Sequence, residues 1–246
     1  MLRWDSDFWG FPVARVNGNH LTADRVDAID QWCAEHQVTC LYFLASFDEP
    51  ETVQFAEDAG YRLVDTRVTA TITPARFALL SPPVPGAGLI IRPAVEADLS
   101  ALQRMAESGF PTTRFFFDRR FPRERCRQLY AHWITESCRG GAEIVHVADS
   151  EVGPLGYLTC HLPSGGERAR IGLINVAVGA RRRGVARELM RESLAWYAQR
   201  GVHEVVGVSQ GRNIAVQAFN DRVGFITESC QIWYHKWFQS PGIVAK

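Results

Sequence analysis

The stretch VAVGARRRGVAREL, residues 177–190, limits the possible folds more than any other part of the chain. An apolar, β-branched run leads into three consecutive arginines set between Gly179 and Gly184, and an amphipathic helical pattern follows. A strand that enters a glycine-bearing loop and leaves as a helix brings unpaired backbone N–H groups and the positive end of the helix dipole together at one point. That arrangement binds anions. Gly184 lets the backbone approach a ligand with no side chain in the way, and the small Ala186 keeps the first helical turn accessible. Lys+Arg and Asp+Glu balance at 27 each, so no overall field recruits nucleic acid or an anionic membrane, and any anion site is local.

Several anion-binding classes are excluded. Gly179 and Gly184 have the spacing of a P-loop, but Val185 and Ala186 occupy the positions of its phosphate-binding lysine and magnesium-binding hydroxyl. The G-x-G-x-x-G fingerprint of dinucleotide folds is absent, with nothing in place of its acidic ribose ligand. Nucleic-acid binding asks for further basic residues interleaved with aromatics, whereas this helix carries Glu188 and Glu192. A solvated arginine run and a loop for a phosphorylated cofactor remain. The six cysteines show neither C-x-x-C spacing nor nearby histidine partners, which predicts reduced, mostly buried thiols and no metal site. No window approaches a membrane span and no h-region follows the N-terminus, which predicts a cytosolic protein.

Hydropathy patterning gives an α/β chain in two parts. FPVARV (11–16), TCLYFLAS (39–46) and YRLVDTRVTATI (61–72) read as strands, with helical patterns at 22–36 and 51–59 between them, a β-α-β-α-β module over residues 1–75. The proline- and glycine-rich residues 76–87 read as a linker. From 88 to 240 a second domain runs as a strand (89–93), a helix (95–108), a second helix from about 122 to 138, and a hairpin of strands 143–149 and 155–162. A strand (169–178), the arginine loop, a helix (184–200), a strand (203–211), a short helix (213–224) and a last strand (225–237) complete it. Trp233 and Trp237 on that strand read as exposed aromatics, so that both a monomer and a homodimer stay open.

The order of a strand, R-x-x-G-x-A, an amphipathic helix, a strand, an Asn-led short helix and VGF resembles the GCN5-related N-acetyltransferase (GNAT) superfamily over about residues 89–237. The resemblance implies the GNAT fold, a central mixed, mostly antiparallel sheet flanked by helices, here preceded by the smaller module. It implies acetyl-CoA as cofactor, its pyrophosphate held by the loop Arg181, Arg182, Arg183, Gly184, Val185 and Ala186. Asn213 would contact the pantetheine or nearby backbone. RIGLINVAV, the YAHW helix and WDSDFWGFPVARV are also similar to the bacterial dTDP-fucosamine (dTDP-4-amino-4,6-dideoxygalactose) N-acetyltransferase family. That likeness implies a small-molecule amine acceptor, a nucleotide-linked amino sugar, near the junction of the two parts.

Acetylation of an amine needs a neutral amine, a polarised thioester carbonyl and a proton for the leaving thiolate. If strand 171–178 splays from strand 203–210 as in the superfamily, backbone N–H groups near Val176 and Val178 are free to bind the oxyanion, and direct attack needs no nucleophilic cysteine. Where relatives often carry a tyrosine as general acid, this chain has Phe219. Either water or another group protonates the thiolate, or it leaves unprotonated, or catalysis is lost and the protein is an acyl-CoA sensor. His161, followed by the loop PSGGE, and Tyr157 are the replacement candidates, with Tyr234, Glu228 and Asp118 behind them; each also reads as an ordinary strand-face residue. Arg114, Arg119 and Arg120 around the FFF run (115–117) read equally as surface charges or as a grip on a sugar-nucleotide diphosphate. Protein, antibiotic and metabolite amines remain alternative acceptors.

Overall fold

A computed structural model describes residues 1–82, 89–162 and 168–238. Its strands are β1 (Val13–Arg15), β2 (Cys40–Ser46), β3 (Arg62–Ile72), β4 (Ile90–Pro93), β5 (Ile144–Asp149), β6 (Gly156–His161), β7 (Arg168–Val176), β8 (Glu204–Gln210) and β9 (Ile226–Trp237). They form one sheet in the order β1-β2-β9-β3-β8-β7-β6-β5-β4. Only β1–β2 and β7–β8 are parallel pairs.

The side-chain alternation of each strand assigns the helices to the two faces. Cys40 and Tyr42 point to a cluster with Trp9, Leu102, Phe115, Phe121 and Leu129. This face is covered by α1 (Arg3–Trp9), α5 (Leu99–Gly109), α6 (Arg114–Phe117) and α7 (Arg123–Glu136). The alternate residues Leu41, Phe43 and Ala45 point the other way, under α2 (Ala23–Glu35) and α3 (Pro50–Asp58). Farther along that second face, α8 (Val185–Ala198) buries Leu189, Met190, Leu194 and Tyr197, each worth roughly 1.5–3 kcal/mol when fully removed from water. With it lie α4 (Pro74–Leu80) and α9 (Ile214–Val223).

Three expectations are corrected. Residues 76–80 of the expected linker belong to α4, because Pro74 is compatible with a first helical turn, the Thr73 hydroxyl accepts the Arg76 N–H at 3.1 Å, and Phe77 is buried; residues 83–88 lie outside the described residues. The N-terminal elements do not close on themselves: β9 lies between β2 and β3, with Tyr42 opposite His235 and Arg67 opposite Gln231. Trp233 and Trp237 are not free surface, since both join the aromatic cluster on the α7 face and Trp237 Nε1 donates to Asp118 at 2.8 Å. The two tryptophans therefore lend no support to a dimer.

Candidate functional site

Among the described residues three pairs hold β7 to β8, Arg168–Glu204, Ala169–Val205 and Arg170–Val206. Beyond them β8 pairs with β3 alone and β7 with β6 alone. The Ala177 N–H donates to Leu155 O at 2.8 Å, so strand alternation turns the N–H and C=O of Val176 to the opposite edge, the one that β8 has left. The side chain of Arg181 reaches back and Nε donates to Val176 O at 3.1 Å. Across the cleft mouth α5 is pinned to β7, the Asn175 amide donating to Met105 O at 2.7 Å. On the α5 side of this strand end a pocket of about 340 Å³ is lined by Met105, Val152, Pro154, Asn175, Val178 and Arg181, with no residue of β8 in its wall.

The arginine loop follows at the end of β7. Arg182 and Gly184 take left-handed φ values of 62° and 84°, a conformation that costs a non-glycine residue roughly 1–2 kcal/mol and that marks loops held for a purpose. Gly184 is the N-cap of α8, and a Cβ built on it meets nothing within 4 Å. That open cradle, at the N-terminal end of a 14-residue helix, suits a pyrophosphate. The nearby acid is neutralised, because Glu188 pairs with Arg191 at 3.1 Å, and Val185 is buried as the helix's first anchor.

On the α5–α7 face, a second group of polar residues comes together that the sequence reading did not single out. Arg67 stands mid-sheet, in register with Gln231 on one side and Gln210 on the other. Its Nε is buried without a hydrogen-bond partner. Beside it, Asp65 is paired to Arg212 at 3.2 Å, and Arg212 in turn stacks 4.1 Å over Phe117. No local motif signals this group, because its members lie on strands far apart in the chain.

A family model described as "Acetyltransferase (GNAT) family" matches residues 103–225, a span that includes the cleft strand, the arginine loop and the Asn213 helix. The chain belongs to the GNAT acetyltransferase family. Within it, the chain is similar to the spore coat polysaccharide biosynthesis protein SpsD of Bacillus subtilis (strain 168), 25% identical over 170 residues, 69% of this chain and 53% of SpsD. The chain thus spans about half the length of this curated relative. Among solved structures, it resembles a GCN5-related N-acetyltransferase from Sphaerobacter thermophilus (TM-score 0.60, 21% identity, 86% of this chain and 66% of that one). It also resembles a tandem GNAT protein from the clavulanic acid biosynthesis pathway (TM-score 0.62, 18% identity, 92% and 75%). These likenesses establish the GNAT fold. The family's cofactor is acetyl-CoA, and the open Gly184 cradle beside the parted strands fits it.

The other candidate residues of the GNAT reading are dispersed. Asn213 caps α9, its side chain accepting the Val216 N–H at 3.3 Å. Phe219 packs its ring against the core cluster around α8. Val178 is exposed at the loop entrance. Tyr157 lies opposite Asn175, fully buried, with burial pushing its phenol pKa up. His161 lies opposite Arg170, at the end where β7 and β8 are still joined. Its imidazole contacts the Thr159 hydroxyl at 3.1 Å, and burial with Arg170 lowers its pKa. The PSGGE loop after it lies outside the described residues. Tyr234 is on the opposite face, its hydroxyl donating to Glu57 at 3.2 Å, and Glu228 is paired with Arg168 at 2.6 Å.

Arg114, read as either a surface charge or a diphosphate grip, and Asp118, a lesser catalytic candidate, both belong to an internal network. The Arg114 guanidinium lies 4.2 Å over Tyr42 and 4.1 Å over Trp233 and is 3.0 Å from His235 Nε2. Since arginine can only donate, Nε2 accepts and the proton sits on Nδ1, which donates to Asp118 at 2.8 Å. Burial pushes the His235 pKa down to about 4. Arg114 is therefore committed to this network, while Arg119 and Arg120 stay exposed, Arg120 lying 5.5 Å over the Trp237 ring.

Proposed function

We propose that the protein is an acetyl-CoA-dependent N-acetyltransferase whose acceptor is a nucleotide-linked amino sugar. The observation that carries the reading is the parting of β7 from β8 beyond Arg170, directly ahead of the Arg181–Ala186 turn. When bound, acetyl-CoA supplies the acyl group already activated as a thioester. Arg182, Arg183 and the backbone N–H groups at Gly184, Val185 and Ala186 hold its pyrophosphate. The Val176 N–H would donate to the acyl carbonyl oxygen, a preorganised contact of a kind worth about 3 kcal/mol in rate. A neutral amine would attack the acyl carbon directly, the C–N bond forming as the C–S bond breaks, with the amine's proton released to solvent. Phe219 can supply no proton, so solvent would protonate the leaving thiolate. The similarity to SpsD, a spore coat polysaccharide biosynthesis protein, supports a sugar acceptor, as does the likeness to dTDP-fucosamine acetyltransferases.

Phe219 also favours a second reading, an acyl-CoA sensor without turnover. Thiol release from acetyl-CoA, measured with nucleoside-diphosphate amino sugars, free amino sugars and a peptide amine, separates the two. Turnover by the wild type with a sugar nucleotide is expected. CoA binding with no turnover on any amine, in both the wild type and Phe219→Tyr, would overturn the transferase reading.

A further inference from the structure

We propose that Arg67, flanked by Arg15 and Arg170, forms a subsite for a phosphoryl or diphosphoryl group, one that fixes the acceptor by its anionic part while its amine reaches the gap between β7 and β8.

The three residues come from β1, β3 and β7 and take one face of the sheet by strand alternation, Arg15 in the row that reaches β3 at Arg62 and Arg170 in the row that reaches it at Thr71, with Arg67 between the two rows. None has an ion-pair partner among the described residues, whereas Asp65, the carboxylate nearest in sequence, is already taken by Arg212. Arg15 lies 5.2 Å over the Trp233 ring, which directs its charge across β9 toward β3. Arg67 is the central member. Its Nε is buried and unpartnered, and burial together with the like charges of Arg15 and Arg170 pulls its pKa down. A guanidinium desolvated beside two others, with a donor left unmet, is unfavourable unless an anion completes it. The neighbours in register, Gln210 and Gln231, add amide donors of the kind that phosphate oxygens accept. A diphosphate offers the multiple acceptor oxygens and the charge that several separated guanidinium groups require.

The location matches the chemistry. Arg67 is one strand beyond β8, and Arg170 sits in the last pair before β7 and β8 part. An acceptor anchored on this floor therefore presents its far end to the edge that carries the Val176 N–H. The arginine loop lies at the end of β7 and is a separate anion site. The identity of the ligand as acceptor rests on the acyl-transfer reading above, but the existence of the subsite does not.

Calorimetric titration of inorganic pyrophosphate into protein saturated with CoA, so that the arginine loop is occupied, tests the subsite. Binding is expected in the wild type. Arg67→Gln should weaken it about 10- to 100-fold, the weight of a charge-assisted hydrogen bond, with a smaller loss for Arg170→Gln. CoA affinity, measured in parallel, reports that each variant is folded. If Arg67→Gln does not fold, the exposed positions Arg15 and Arg170, changed to Gln, carry the same test. In a second measurement, the wild-type preference for glucosamine 1-phosphate over glucosamine in thiol release should shrink in the variants through KM. Absent pyrophosphate binding, or binding unchanged by all three substitutions, overturns the subsite. Binding lost in Arg67→Gln with no amine turned over retains the subsite and overturns the transferase reading instead.

Discussion

The arginine loop and the proposed arginine floor present the same residue type by opposite routes. The loop is contiguous: Arg181, Arg182 and Arg183 follow one another, and a glycine with φ of 84° opens the backbone beside them. The floor is assembled: Arg15, Arg67 and Arg170 share one face only because β9 and β8 lie on either side of β3. The first gathers backbone N–H groups, which any ligand phosphate can use. The second offers side chains alone, so each position is tunable separately. A cofactor common to a whole family suits the first design, and an acceptor that differs between relatives suits the second.

Breaking the loop without touching the floor gives the largest expected effect. Gly184→Val puts a β-branched side chain into the open cradle and forces a left-handed φ that valine resists; CoA affinity by calorimetry should fall about 100-fold, while pyrophosphate binding at the floor persists. Arg182→Gln with Arg183→Gln removes charge but keeps the backbone. CoA affinity should fall about tenfold, and the preference between phosphorylated and neutral amines should stay unchanged; a shift in that preference would mean the two sites are one.

Two buried histidines respond to acid, His235 beside Arg114 and Asp118 on the floor's face and His146 against Ser193 of α8 on the other. His235 and His146 are buried with pKa values pushed down to about 4, by burial above all. As pH falls through 6.5 the unfolded chain takes up protons at these histidines that the folded chain refuses. Their contribution to stability is therefore complete above pH 6.5 and declines between 6.5 and 4, by about 1.4 kcal/mol per pH unit for each histidine. Denaturant unfolding at several pH values should show that slope, and His235→Gln should roughly halve it. The smallest effect belongs to the loop's neighbour. Asn213→Ala removes the cap of α9 and should cost about 1 kcal/mol of stability in the same assay, with CoA affinity nearly intact if capping is its main task.

The same contrast explains what was legible in the sequence. Strand and helix positions from 89 to 237 follow from hydropathy period and glycine stops, since those signals are local. The strand, glycine-bearing turn and helix around Arg181–Ala186 are legible for the same reason. By contrast, α1 was missed because its seven residues, RWDSDFW, are too few to establish a period. The insertion of β9 between β2 and β3 leaves no trace within either segment. Arg114 looked like a surface charge because its burial depends on Tyr42, Trp233 and His235, all distant in sequence. Arg67 passed unremarked inside an ordinary strand pattern, TRVTATI, whose alternation says which face it takes but nothing of what else gathers there.

The position of β9 also bears on synthesis. Cys40 through Ser46 pair with Trp237 through Gln231, so β2 waits for a strand made almost two hundred residues later. At the usual pace of translation, about 5–20 residues per second, β2 and β3 spend on the order of ten seconds or more with a missing neighbour. During that interval their unpaired edges invite the wrong partner, a hazard that a chaperone bound to the nascent chain would relieve. A ribosome-stalled chain that ends before Ile226 should accordingly be protease-sensitive in its first 72 residues, however well its later arginine loop has formed.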